Sequence, residues 1–446
     1  MSAINQKPVI VLGGGISGLA TAWFLHKAGI SFKLFEKEAR TGGKIETNFY
    51  EETVLEFGPN SIRDKNGAIR ELAKELSLSQ EIIEISETFK TRFIVRDGKL
   101  CEVSPTIGSF LTTDVLSLTG KLRAFLEPLK TKGTTEDESV GEFLERRFGK
   151  EAVDYLVDPI FSGIYAGDIY RMSKKTVLAG LAGLEQDFGS ISWGAIRSKK
   201  EKKIGKPVVI SFKKGIQQLT DELTKRLSKY IIYEEVTSLE PKGNGFKISS
   251  DGNDMEASQT ISCISAYQLA RIMKGFDPKT STALSDIDYS PMLSTQVIYD
   301  RKIAARHKAG FGFLIPRKEN YRLLGSIWKS EIFPAFCSPG KTHFTLMTGG
   351  AHDRNILIDP VKEVEKEILE EFSELMEISE KPEYVNSKLW EEAIPQFEIG
   401  YALINQKIAE AEQQNPGLHI GGNYRWGISV PDCVQGARKC VGMLEK

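Results

Sequence analysis

Residues 9–36 constrain the fold more than any other stretch of the chain. Val9-Ile10-Val11-Leu12 is a short apolar, mostly β-branched run, the kind buried on both faces of a parallel sheet. It leads into Gly13-Gly14-Gly15-Ile16-Ser17-Gly18, which fits G-x-G-x-x-G, and then into a helical run from Leu19 to Leu25. A second strand, Phe32-Lys33-Leu34-Phe35, ends at Glu36, about 20 residues past the second motif glycine. Gly13 makes the tight turn, Gly15 lets the backbone approach a pyrophosphate, and Gly18 allows close helix–strand packing. The helix start offers unpaired N–H groups and a positive dipole end, and Glu36 can accept from a ribose hydroxyl. A glycine-rich turn alone is weak evidence. Strand, loop, helix, strand and terminal acid in this order predict a dinucleotide site.

The remaining composition removes other classes. The 446 residues carry 59 Lys+Arg against 60 Asp+Glu, a formal net charge of −1, so no global field favours nucleic acid. Cys101, Cys263, Cys337, Cys433 and Cys440 are widely spaced without a Cys-x-x-Cys pair, and the histidines show no ligand spacing. No metal site is expected, and a reducing, cytoplasmic setting fits. The uncharged stretch Pro8–Leu25 approaches the length of a spanning helix, but its glycines break it and no basic leader precedes it; neither a transmembrane helix nor an export signal is expected.

Farther along, Arg92–Val95 and Leu100–Val103 flank an Asp97-Gly98 turn, a hairpin signal. From Thr106 to about Lys206 the chain is helical and charged, and reads as an inserted domain. Strand patterns return at Pro207–Phe212, Ile231–Val236, Phe246–Ser249 and Thr260–Ser265, the last expected to rejoin the first sheet. From Tyr289 to Gly349, alternating strands predict an antiparallel sheet, followed by a helix from Asp359 to Ile378. At the carboxyl end, a short strand and glycine turn within Gly417–Tyr424 and a helix running to Leu444 close the nucleotide domain. The backbone N–H groups of Ile428, Ser429 and Val430 open that helix and can stabilise negative charge on a reduced ring.

After Glu36, Arg40-Thr41-Gly42-Gly43-Lys44 and Phe57-Gly58-Pro59-Asn60-Ser61 resemble the FAD-binding segments of amine-oxidase-type flavoproteins. With Phe161-Ser162-Gly163-Ile164-Tyr165-Ala166-Gly167-Asp168, Trp390 near Ile394-Pro395-Gln396, and Ser429-Val430-Pro431-Asp432-Cys433, the chain resembles the oxygen-dependent protoporphyrinogen/coproporphyrinogen oxidase family of that superfamily. The resemblance implies an α/β fold with three parts. A Rossmann-like FAD-binding domain takes residues 1–85, 207–285 and 385–446, and an antiparallel-sheet substrate domain takes 86–105 and 286–384. Residues 106–206 form a helical, membrane-associated domain. It implies non-covalent FAD held by Gly13, Gly14, Gly15, Ile16, Ser17, Gly18, Glu36, Lys37, Gly43, Lys44, Gly58, Pro59, Asn60, Ser61, Val236, Trp390, Ile428, Ser429 and Val430. It also implies a porphyrinogen slot lined by Asn60, Arg92, Gly163, Leu324 and Phe344, with Arg92 on a propionate and no residue acting as acid or base. Oxygen as acceptor, a homodimer and peripheral contact with anionic membrane, through the basic run Arg197–Lys206, are further implications. Lys308, an added cation at the pocket mouth, keeps coproporphyrinogen III open beside protoporphyrinogen IX. A flavin amine oxidase, a carotenoid desaturase and a non-catalytic flavin-binding protein are the other readings.

Overall fold

The amino and carboxyl ends of the chain meet in one parallel sheet. In the computed structural model, which describes residues 7–85, 91–103, 112–198, 208–301 and 309–444, β1 (Val9–Leu12) lies between β2 (Phe32–Glu36) and β14 (Gln259–Ser262). β10 (Ile231–Tyr233) pairs with β2, and β20 (Leu418–Ile420) pairs with β14, all in parallel. A four-residue strand with every side chain buried has to be covered on both faces. On one face, α1 (Ile16–Lys27), α7 (Gln217–Leu227) and α9 (Val430–Leu444) share a core built on Leu19, Trp23, Leu223, Val434 and Val441. On the other, Ile10, Leu12 and Phe35 meet Leu239, Phe246 and Ile248. These last come from the antiparallel sheet of β11 (Val236–Lys242), β12 (Gly245–Ser250) and β13 (Asn253–Ala257). The expected strand Ile231–Val236 is therefore two strands. Its first half lies in the parallel sheet and its last residue opens β11.

A β3 (Thr47–Tyr50)–β4 (Thr53–Glu56) hairpin and a small sheet ordered β5 (Ile62–Asp64), β9 (Val208–Phe212), β6 (Ile82–Glu84) lead to the second lobe. That lobe is a seven-stranded sheet in the order β19 (Tyr384–Pro395), β15 (Tyr289–Asp300), β18 (Lys341–Gly349), β17 (Leu323–Trp328), β16 (Gly312–Leu314), β7 (Arg92–Arg96), β8 (Lys99–Val103). The β7–β8 hairpin turns on Asp97 and Gly98, both at positive φ as the sequence signal requires. β19 hydrogen-bonds along β15, so a boundary at residue 385 cuts a strand of this sheet away from it; Tyr384–Pro395 belongs with the antiparallel lobe.

The two faces of this sheet differ in chemistry. Val297, Phe344, Leu346, Phe313 and Trp328 pack beneath α8 (Val361–Met376) through Ile368 and Phe372. The alternate residues Gln296, His343 and Thr345 are just as buried but polar. They face the β3–β4 hairpin, where Gln296 Nε2 donates to the Glu56 carbonyl at 2.8 Å.

The helical insert comprises α2 (Leu118–Phe125), α3 (Val140–Phe148), α4 (Asp158–Tyr165), α5 (Ala179–Phe188) and α6 (Ile191–Ser198) around Val140, Phe143, Leu144, Ile169 and Met172. Ser139 and Glu142 form a capping box at the start of α3. Among the described residues no helix is long and apolar enough to cross a membrane, and no cluster of metal ligands occurs. Lys308 and the run Lys199–Lys206 lie outside the described residues.

Candidate functional site

The site starts where β1 ends. Gly13 turns at φ +96° and donates to the Phe35 carbonyl at 2.8 Å. Gly18 packs so closely beneath it that a Cβ there would overlap the Gly13 carbonyl oxygen. α1 begins at Gly15, Ile16 and Ser17 with no side chain capping its first N–H groups, which leaves those donors and the positive dipole end for an outside acceptor. Gly42 donates to the Gly14 carbonyl at 2.8 Å, and a Cβ on Gly43 would lie 3.1 Å from the Gly15 Cα. The two glycine turns thus meet backbone to backbone, with no side chain between them.

Glu36 closes this end. Its carboxylate, 8% exposed, accepts from Gly14 N at 2.6 Å and Glu38 N at 2.9 Å. Val236 opens β11 at the same end of the sheet, since Tyr233 stands opposite Glu36 in register. Lys37 points to solvent, 3.4 Å from Glu38. The Arg40 guanidinium is spent inside its own turn, on the carbonyls of Thr41, Ile45 and Gly43. Lys44 is the inward-facing cation of the segment. Its ammonium donates to the carbonyls of Glu392 and Ala393 on β19, and burial lowers its pKa to about 8 against the pull of the Glu392 charge.

A narrow seam follows. A Cβ on Gly58 would overlap the Lys44 carbonyl oxygen, and Trp390 Nε1 donates to the Phe57 carbonyl at 2.8 Å. Gly58, Pro59, Asn60 and Ser61 are thereby fixed between Lys44, Trp390 and the polar face of the antiparallel sheet. From the far end of the chain, Gly427 at φ +116° aims Ile428, Ser429 and Val430 into the start of α9, where the Ser429 hydroxyl accepts from Asp432 N at 3.2 Å. α9 lies along α1 in one core, so both helices begin near the same glycine loop. The glycine turn Gly421–Tyr424 contains no cysteine to tether a flavin. Backbone cradles, an uncapped helix start and a carboxylate at the end of β2 fit a dinucleotide. A sheltered seam against a second lobe fits its ring.

Around that seam the expected slot residues fare differently. Asn60 is half-buried, and its side-chain Oδ1 is buried without a hydrogen-bond partner. Arg92 opens β7 with its guanidinium 4.7 Å from the centroid of the Phe311 ring. Its side chain is exposed where the strand begins. Gly163 on α4 sits against Leu314, whose Cδ2 would lie 2.9 Å from a Cβ there. Leu324 occupies the irregular step of β17 between Leu323 and Gly325, and lines a small cavity with Ser162, Arg317 and His352.

Phe344 is a correction. It is 0% exposed and lies between Tyr299 and Phe372, on the α8 face of the sheet. Its neighbours at odd spacing, His343, Thr345 and the half-buried Met347, take the opposite face, and Met347 stands across from Gly325. Met347 and Leu314, both standing opposite Gly325, thus take the face turned to the other lobe, where the sequence pointed to Phe344. The available signal was the polar alternation His343–Thr345, which marks the face turned to the other lobe.

Comparison with known proteins matches the model of the flavin containing amine oxidoreductase family over residues 16–443. The chain is 29% identical to protoporphyrinogen oxidase 2 of Arabidopsis thaliana, covering 100% of this chain and 95% of that protein. It is 27% identical to coproporphyrinogen III oxidase of Bacillus subtilis, covering 98% and 97%. A crystal structure from Exiguobacterium sp. 255-15, described as a candidate protoporphyrinogen oxidase, superposes with a TM-score of 0.85 at 21% identity over 100% of this chain and 99% of that one. At that identity the superposition speaks for the fold.

Proposed function

The chain belongs to the flavin containing amine oxidoreductase family, and within it we propose that the protein oxidises a porphyrinogen, protoporphyrinogen IX to protoporphyrin IX, with oxygen as acceptor. The observation that carries this reading is the match to porphyrinogen-oxidising relatives along the whole chain. FAD, held by the α1 donors and Glu36, would supply two-electron redox chemistry, three turns accounting for the six electrons removed and three molecules of oxygen taking them as hydrogen peroxide.

The protein's own residues bind, orient and exclude water. The α1 donors and Glu36 hold the dinucleotide, and Lys44 neutralises charge beside it. Arg92 takes a propionate. Gly163, Leu314, Leu324 and Met347 form an apolar slot that presses the macrocycle against the flavin. Such a clamp supplies near-attack geometry rather than acid–base chemistry. This is consistent with the absence of a nucleophile–base pair among the residues described around the seam.

The Bacillus relative favours coproporphyrinogen III as the second reading. Parallel assays of both porphyrinogens, following porphyrin fluorescence and oxygen uptake, test the proposal. Turnover of the first at the higher kcat/KM supports it, a preference for the second selects the alternative, and turnover of neither removes both.

A peripheral contact with anionic lipid belongs to the same reading. Leu118, Leu122, Phe125 and Leu129 follow one another at helical spacing and are 83%, 59%, 74% and 79% exposed; Trp193 and Ile196 on α6 add to the patch. An apolar face of this extent is unusual on a surface bathed only by water.

A further inference from the structure

Lys329 lies one residue beyond β17, fully buried, and takes no part in the chemistry described above. Its ammonium donates to the Asn60 carbonyl at 2.7 Å. The rings of Phe333 and Phe336 lie 5.6 and 5.1 Å from it. The facing carboxylate is Glu56, also fully buried, which accepts from the Thr47 hydroxyl and from Ile216 N, both at 2.7 Å. The remaining titratable neighbour is His343 on β18. Its Nε2 lies 2.8 Å from Gln296 Oε1, an acceptor that also takes the Thr345 hydroxyl at 3.0 Å, so Nε2 carries the proton and Nδ1 is bare. Burial, with the Lys329 charge, holds that imidazole neutral. Among the described residues, Lys329 is therefore the cation of this buried group.

A buried ammonium is costly unless a structure gives it partners. Here the partner it reaches is a backbone carbonyl in the segment between flavin and slot. The same residue, Asn60, carries a buried side-chain oxygen with no partner. We propose that Lys329, compensated by Glu56, is a positioning residue that fixes Asn60 so that its free Oδ1 is presented to a pyrrole N–H of the bound macrocycle. The inference rests on the reading above that Asn60 borders a porphyrinogen slot. Gly58 against Lys44 and Trp390 against Phe57 fix the segment from the flavin side, and Lys329 fixes it from the sheet side.

Glu56→Gln/Lys329→Met removes both charges together, so neither is left alone in the core. The account expects this double variant to bind FAD with a dissociation constant within about threefold of wild type. It should bind the porphyrin product about tenfold or more weakly, read by fluorescence quenching. On the wild type alone, porphyrin affinity should fall as pH rises through about 8, where burial places the Lys329 ammonium; Glu56 and His343 are the other ionisable groups facing it. The double variant should lack that fall. Lys44, on the flavin side of the same segment, is also lowered to about 8, so should the double variant fail to fold, Lys329→Arg, whose cation does not titrate in this range, stands as the test: it should flatten the profile, and an unchanged profile overturns the proposal. Porphyrin affinity within twofold of wild type in the variant, or a flat wild-type profile between pH 7 and 9, overturns the proposal. Wild-type protein that turns over neither porphyrinogen fails the underlying reading instead.

Discussion

At the scale of single residues, glycines and one arginine carry the sharpest consequences. Gly18→Ala sets a methyl group into the Gly13 carbonyl. It should cost about 1–3 kcal/mol or more, and the purified protein should lose most of its bound flavin, read as absorbance per chain. Arg92→Ala should raise KM for the porphyrinogen roughly 10–100-fold, the worth of a charge-assisted contact of about 1.5–3 kcal/mol, with a smaller loss of kcat. Unchanged steady-state constants would take Arg92 out of the slot. The sequence exposed these positions unevenly. Gly13 and Gly18 are legible because a G-x-G-x-x-G loop leaves no other role for them. Phe344 was misread because strand alternation says which residues share a face without saying which face meets the flavin. Lys329 and Glu56 carried no signal at all, since residues so far apart in the chain become a pair only through the packing of two lobes.

At the scale of elements, the helical insert is held together by one acid. Glu127 is buried beyond the end of α2 and accepts from Arg147 Nε at 2.7 Å, the Ser190 hydroxyl at 2.7 Å, Ile191 N at 3.0 Å and Ser192 N at 3.1 Å. It caps α6 and neutralises a fully buried arginine in one contact set. Burial pushes its pKa up, but the bonds from Ser190, Arg147, Ser192 and Ile191 outweigh that and bring it to about 2 from 4.5. A depressed carboxylate stabilises the fold above its unfolded value and loses that contribution as pH falls from about 4.5 towards 2. Glu127→Gln should cost on the order of 1–3 kcal/mol by leaving Arg147 only the more distant Glu185 carboxylate, at 3.3 Å, and should flatten that acid limb in denaturation measured across the range. The same acid brings the apolar ridges of α2 and α6 together. Leu118→Ser/Leu122→Ser/Phe125→Ser, all exposed, should leave thermal stability unchanged and abolish flotation with anionic vesicles; undiminished flotation would place lipid contact elsewhere. From the sequence the insert reads as helical and charged, which it is. Its organisation was hidden because Glu127 meets partners more than sixty residues away.

At the scale of the whole molecule, β1 and β20, at opposite ends of the polypeptide, flank β14 in one sheet. α1 and α9 start beside the same glycine loop. β1 was legible as a short apolar run before a glycine turn, and β20 by the glycine turn that follows it; β14, Gln-Thr-Ile-Ser, shows only as a β-branched stretch between turn signals. The fate of Ile231–Val236 was less so. The two acids Glu234 and Glu235 lie between the strands and divide it between two sheets, a charged interruption that the reading of one continuous strand passed over. The account rests on this closure holding FAD with a carboxylated macrocycle against it. The most direct test is anaerobic mixing of the FAD-loaded protein with protoporphyrinogen IX and, in parallel, coproporphyrinogen III. The account predicts that the yellow flavin band bleaches with protoporphyrinogen IX and returns, with porphyrin fluorescence, when air is admitted; a band that neither porphyrinogen bleaches would contradict it.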